Sequence, residues 1–191
     1  WVATASASGG GSSAYAIDGD INTRWSPGAD QANGQWFQVD MGWVQTFNRI
    51  VMDAGSSSGG YPRGYDVKVS NDGTNWSSAV ATGTGSSAVI TVTFVTQTAR
   101  YIRVTQTGSA TGTWWSMHEF YVYAPAVVVL PRTGWVTSAS SSGGGSPSNA
   151  IDGNGGTRWS PGVNQANGQW FQVDMGSAQT FKQIVLDAGG S

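Results

Sequence analysis

Residues 1–57 return as residues 135–191, at a constant offset of 134 and without a gap; 40 of the 57 aligned pairs are identical. One structural pattern is therefore used twice, and any fold proposed for the chain must accommodate both copies. "WVATASASGGGS" is answered by "WVTSASSSGGGS", and "QANGQWFQVDMG" recurs letter for letter from Gln31 and from Gln165. Duplication accounts for most of this identity, so the differences are the informative part: Asp20/Asn154, Ile21/Gly155, Asp30/Asn164 and Trp43/Ser177. Trp43, exchanged for serine, is expected to be exposed. The first copy runs on to Tyr123, which gives a complete unit over 1–123 and a partial second copy over 135–191. Between them "APAVVVLPRTG" (124–134) reads as an extended, Pro-bounded linker. Its "LPRTG" also fits the LPxTG sorting signal, but the second copy comes next in the chain, where a sorting signal has an apolar segment and a basic tail. The partial copy carries apolar strands that cannot close a core alone. It is expected to need completion by another segment, for example from a neighbouring copy of the chain.

Period-2 alternation runs through the first copy. "YDVKVS" sets Tyr65, Val67 and Val69 on one face; "VITVTFV" does so with Ile90, Val92 and Phe94, and "YIRVTQ" with Ile102 and Val104. Asp72-Gly73 in "SNDGTNW" marks a hairpin turn. No window sustains a helical apolar stripe. Short strands joined by Gly-rich connections predict an all-β, two-sheet antiparallel sandwich. Trp25 and Trp36 are expected inside it, together with one of Trp114 and Trp115.

The residue inventory then removes most function classes. Nine Lys plus Arg and a formal net charge of −2 leave no basic face for nucleic acid. No apolar run approaches 20 residues, so no segment is expected to insert in a membrane. With no cysteine there is no disulfide or thiol chemistry. His118 is the only histidine and Glu119 the only glutamate, which leaves neither a histidine triad within the first copy nor a multi-histidine zinc site. The expectation is a binding protein and not an enzyme. The start at Trp1, without Met or a signal peptide, reads as a processed or excerpted chain.

The fixed frame "AIDGDINTRWSPG" reads as a loop for a hard cation. Asp18 offers a carboxylate, Gly19 a sharp turn and Thr23 a hydroxyl, while irregular backbone frees carbonyls of the kind calcium takes. An Asx turn, in which Asp18 only satisfies its own backbone, is the competing account.

"AIDGDINTRWSP", "QWFQVDMG", "YPRGYDVKVSNDGTNW", "ARYIRV" and "WWSMHEFYVY" occur in this order. Together they resemble the coagulation factor 5/8 type C (discoidin) domain, and especially the family 32 carbohydrate-binding modules of secreted bacterial glycoside hydrolases. The resemblance covers 1–123 and 135–191. It implies an eight-stranded β-sandwich jelly roll and a structural calcium held by the Asp18 carboxylate, the Thr23 hydroxyl and carbonyl, the carbonyls of Tyr15 and Asp20, and the Glu119 carboxylate. The second copy keeps Asp152 and Thr157 but has no Glu119 counterpart, so its site is expected to be incomplete. The resemblance further implies a shallow sugar site on loops at one end of the sandwich. Loops 26–35, 56–64 and 108–115 are available there. Tyr61 or Trp114 is the candidate platform, Arg63 the fork donor, and Asp30, Asn33 and Gln35 the hydrogen-bonding groups. Ser26 and Ala29 stand where galactose binders of the family carry a histidine and an aromatic residue, which points away from galactose; the "YPRGY" and "WWSMHEF" blocks resemble modules attached to bacterial glucanases, which points towards glucans or chitosan-like polymers. The expected role is non-catalytic binding of polysaccharide by a secreted or cell-surface tandem array, weak per copy and strengthened by avidity. The rival expectation is a structural or adhesive repeat protein that self-assembles into a filament or surface layer.

Overall fold

The computed structural model describes residues 1–126, 128–181 and 183–189. The chain divides into two units, Trp1–Val127 and Val128–Ser191.

Among the described residues the first unit holds eight strands: β1 (Val2–Ala5), β2 (Asp30–Gln31), β3 (Trp36–Asp53), β4 (Tyr65–Ser70), β5 (Ala81–Gly83), β6 (Val89–Gln106), β7 (Ala110–Trp114) and β8 (Glu119–Tyr123). Every pairing among them is antiparallel, which agrees with the antiparallel sandwich predicted from the alternation and with the eight strands that the resemblance implied. Two long strands, β3 and β6, serve both layers. The first part of β3 pairs with β1 and β6, and its last part, from Arg49 on, pairs with β8 and β6. The register breaks between Asp40 and Gln45, where Gly42 takes a positive φ of 84°. There the Asp40 carboxylate accepts the Gly42 N–H at 2.8 Å and two guanidinium bonds from Arg100, both at 2.7 Å. That guanidinium holds the Asp40 carboxyl down to about 2.

The inward faces meet where the periodicity placed them. Tyr65, Val67 and Val69 are buried, as are Ile90, Val92, Ile102 and Val104. The two apolar runs lie in a single strand, β6, whose pairing to β3 resumes across two register shifts, at Asp40/Gln45 and at Phe47/Arg49. Trp25 packs on Phe37 with ring centroids 5.0 Å apart and edge-on against Trp115, also at 5.0 Å; Phe37 reaches Phe120 at 5.6 Å. Of the adjacent pair, Trp115 is the core residue and Trp114 is 41% exposed. Trp43 is exposed, as its serine counterpart suggested.

Trp36 departs from expectation. Phe37 and Val39 point inwards, so the period of two sends Trp36 and Gln38 to the outer face. There the Arg103 guanidinium lies between Trp36, 4.6 Å from its ring centre, and Trp76, 4.2 Å from its ring centre. The connection from β4 to β5 is also wider than a two-residue hairpin. Asp72 organises it by accepting the N–H groups of Thr74 and Asn75, with Gly73 at a φ of +73°.

The second unit repeats the opening of the first. Its strands β9 (Val136–Ala139) and β10 (Phe171–Asp174) pair in the register of β1 with β3, and Trp159 packs on Phe171 at 5.0 Å as Trp25 does on Phe37. Phe181, Ile184 and Leu186, counterparts of the buried Phe47, Ile50 and Met52, are exposed.

The tryptophan node at the centre of the first unit yields a stability prediction. Trp25→Ala removes a fully buried ring and the indole bond to the Ala7 carbonyl at 2.9 Å. It is expected to cost about 3–5 kcal/mol, read by denaturant unfolding. Trp115→Phe is expected to cost clearly less, because the Trp115 indole N–H has no hydrogen-bond partner among the described residues.

Candidate functional site

The frame around Asp18 folds locally. Ser12 caps a 3-10 turn, Ser13–Ile17, and Asp18 closes it. Asp18 Oδ1 then accepts the Asp20 N–H at 2.9 Å, which is an Asx turn. The other carboxylate oxygen, Oδ2, faces the Thr23 hydroxyl at 2.9 Å, and that hydroxyl is also 3.0 Å from the Asp20 carbonyl and 3.3 Å from the Tyr15 carbonyl. One hydroxyl proton serves only one of these three acceptors at a time. The loop of the second unit builds the same arrangement, with Asn154 N–H on Asp152 Oδ1 at 2.8 Å and the Thr157 hydroxyl on Oδ2 at 2.7 Å. The loop geometry is therefore local and does not depend on β8.

In the first unit β8 adds Glu119, which is buried. Its Oε1 has no hydrogen-bond partner among the described residues. Burial is the main cause raising its pKa; the Asp18 and Asp20 carboxylates push the same way, and the Gly19 N–H opposes them. An orphaned buried carboxylate oxygen, a second carboxylate and two carbonyls around one hydroxyl form an oxygen-only donor set that suits a hard divalent cation. The five residues marked by sequence for metal ligation come together: Tyr15, Asp18, Asp20 and Thr23 by their mutual contacts, and Glu119 by its interactions with Gly19, Asp18 and Asp20.

A separate open groove of about 520 Å³ lies between the 56–60 loop and the end of β7. Trp114 and Thr113 form one side, Ser56 to Ser58 and Gly59 the other, with Arg24 and Ser116 contributing to the lining. Arg24 donates to the Ser57 hydroxyl at 2.8 Å. Ser57 Oγ lies 3.1 Å from His118 Nε2, and His118 Nδ1 is 2.7 Å from the Ile21 carbonyl. The imidazole is buried, and it occupies the space a side chain at position 55 would need: a Cβ on Gly55 would stand 2.7 Å from His118 Cγ.

The six residues that sequence marked for sugar binding divide between two places. Trp114 presents an exposed ring to the groove, and Asp30 pairs with it across β2 and β7. Asn33 is exposed in the turn after β2, while Gln35 spends its amide on that turn, donating to the Asp30 carbonyl at 2.9 Å and accepting the Ala32 N–H at 3.2 Å. Tyr61 and Arg63 are engaged with each other. The Arg63 guanidinium sits 4.3 Å from the centre of the Tyr61 ring and donates to the carbonyls of Tyr61 (3.2 Å) and Gly59 (3.0 Å). The guanidinium that lines the groove belongs to Arg24, which sequence reasoning passed over. Arg24 lies inside "TRWSPG", a stretch identical in both copies, so duplication masked it.

The F5/8 type C domain profile matches residues 2–120 and 136–191. The family 32 carbohydrate-binding module of C. perfringens NanJ, solved with galactose, is 29% identical, with a TM-score of 0.55 over 63% of this chain and 91% of that one. Chitosan-binding module 2 of a Paenibacillus sp. IK-5 chitosanase/glucanase, solved with chitotriose, is 32% identical, with a TM-score of 0.57 over 64% of this chain and 95% of that one. A galactose oxidase of Gibberella zeae is 32% identical over 145 residues, 70% of this chain; the chain spans 21% of that enzyme's length.

The packing of Gly55 against His118 predicts that Gly55→Ala destabilises the unit by more than about 1 kcal/mol, since the φ of +48° and the ring both oppose a side chain. Denaturant unfolding measures the cost, and the His118 ring resonances should move with it.

Proposed function

The chain belongs to the F5/8 type C domain family, and we propose that its first unit is a carbohydrate-binding module whose ligand lies along the groove between Trp114 and Arg24. The exposed Trp114 ring carries this reading. A sugar is held by its CH face on an aromatic ring and by planar donors to its hydroxyls, and Trp114 and Arg24 supply these two elements on one groove. The solved neighbours that bind chitotriose and galactose support it. Among sugars, a β-linked glucan or glucosamine oligomer fits best. The Asp30 carboxylate, paired in register with Trp114, would accept an amino group, and Arg24 would donate to ring hydroxyls. A shallow groove buries little ligand surface, so affinity per module is weak, and linked copies in a secreted parent protein would gain by effective concentration.

We also propose that the oxygen cluster holds calcium. Asp18, Thr23 and Glu119 would contribute side-chain oxygens, and Tyr15 and Asp20 carbonyls. When bound, the ion neutralises two carboxylates that otherwise repel and ties the frame to β8.

Each proposal has its own measurement. Titration calorimetry of the full chain with chitotriose and with a β-glucan trisaccharide should show weak binding that Trp114→Ala and Arg24→Ala each reduce at least about tenfold, or about 1.4 kcal/mol. No binding to any polysaccharide, together with regular filaments in micrographs, would favour the self-assembling alternative. For the cation, EDTA should lower the melting temperature of the first unit by roughly 5 °C or more, and calcium should restore it. Glu119→Gln should shrink that difference; a melting temperature indifferent to chelator sinks the calcium proposal.

A further inference from the structure

The two sites are joined by a continuous line of hydrogen bonds, and we propose that this line couples them, with His118 and Ser57 as positioning residues that transmit the state of the cation loop to Arg24. The coupling rests on reading the groove as a sugar site and the oxygen cluster as a cation site. Ile21 lies in the 18–23 loop, between Asp20 and Thr23, and its carbonyl takes the Nδ1 proton of His118 at 2.7 Å. With Nδ1 donating to that carbonyl, Nε2 is the ring atom left to accept, here from the Ser57 hydroxyl at 3.1 Å. The Ser57 oxygen in turn accepts from Arg24 Nη1 at 2.8 Å. Donor and acceptor alternate consistently along the whole line, from Arg24 through Ser57 and His118 to Ile21.

The line has little room to give. His118 is buried, its backbone N–H is held by the Asp53 carbonyl at 2.7 Å, and Gly55 packs on its ring. A shift of the Ile21 carbonyl therefore moves the imidazole, or breaks its bond and frees the ring to turn; in both cases Ser57 loses the acceptor that orients its hydroxyl towards Arg24. The Ile21 carbonyl is placed by the loop whose carboxylates the cation would draw together. Without the ion, Asp18 and Glu119 repel, and the loop relaxes away from β8. The fork that meets the sugar is thus oriented from the cation site, and by reciprocity the sugar tightens the cation. The repeat is consistent with a backbone role at Ile21, because the counterpart is Gly155.

The test uses the full chain, labelled for NMR, with calcium chloride against EDTA. Calcium should produce a resolved shift of the Arg24 side-chain Nε–Hε resonance. Ser57→Ala should bind calcium normally by calorimetry yet abolish that shift, and His118→Gln should weaken it. An Arg24 resonance that ignores calcium, or that moves equally in Ser57→Ala, overturns the coupling. The same samples titrated with chitotriose should show affinity at least about fivefold higher in calcium than in EDTA for the unmodified chain, and a ratio near one for Ser57→Ala. A ratio that persists in Ser57→Ala also overturns it. If chitotriose fails to bind with calcium present, the carbohydrate reading falls while the Arg24 shift still decides the coupling.

Discussion

Two hydrogen bonds hold both candidate sites in place. Trp25 N–H donates to the Met117 carbonyl at 2.8 Å, and Met117 N–H returns the bond to the Trp25 carbonyl at 2.9 Å. This bridge is isolated and antiparallel, and on either side of it Arg24 and His118 both meet Ser57. Beneath the bridge the Trp25 ring fixes the height of the strand ends by packing on Phe37 and Trp115. The 18–23 loop, the imidazole and the groove all depend on this one crossing of a loop with the approach to β8.

What was legible in the sequence was local or periodic. Alternation exposed the inward faces of β4 and β6, and the spacing from Asp18 to Thr23 exposed the loop, because each is built within a few residues. The Trp43/Ser177 exchange marked an exposed side chain for the same reason. What stayed hidden depends on distant backbone. No residue spacing announces that His118 will meet a carbonyl 97 positions away. Nor does composition say which arginine is engaged by its own loop. Arg63 folds back onto the Tyr61 and Gly59 carbonyls of its own loop, whereas Arg24 leaves its loop towards Ser57. Trp36 escapes for a simpler reason. Its block looks core-forming as a whole, although a strand can bury only every second residue on one face.

The two copies separate what a sequence builds alone from what it builds with help. The Asp-to-Thr loop, the β1–β3 register and the Trp–Phe contact appear in both units from nearly the same residues. The burial of Phe47, Ile50 and Met52 does not carry over, because in the first unit β6 and β8 flank that part of β3. The only glutamate of the chain belongs to that second, non-local class, so the loop is shared while the complete oxygen cluster belongs to the first unit alone.

The arrangement of the outer strands has a mechanical consequence. β1 begins at Val2 opposite Asp40, and β8 ends at Tyr123 opposite Arg49, so both ends of the first unit leave from the corner region of β3; Trp1 and Tyr123 share one hollow there. A pull on these ends loads the hydrogen bonds one pair at a time, as a zip, and not all together in shear. Peeling β8 from Tyr123 runs inwards to Glu119, the strand's first residue, whose side chain is buried. Resistance to force at this end would then be set by how Glu119 is held at the start of β8.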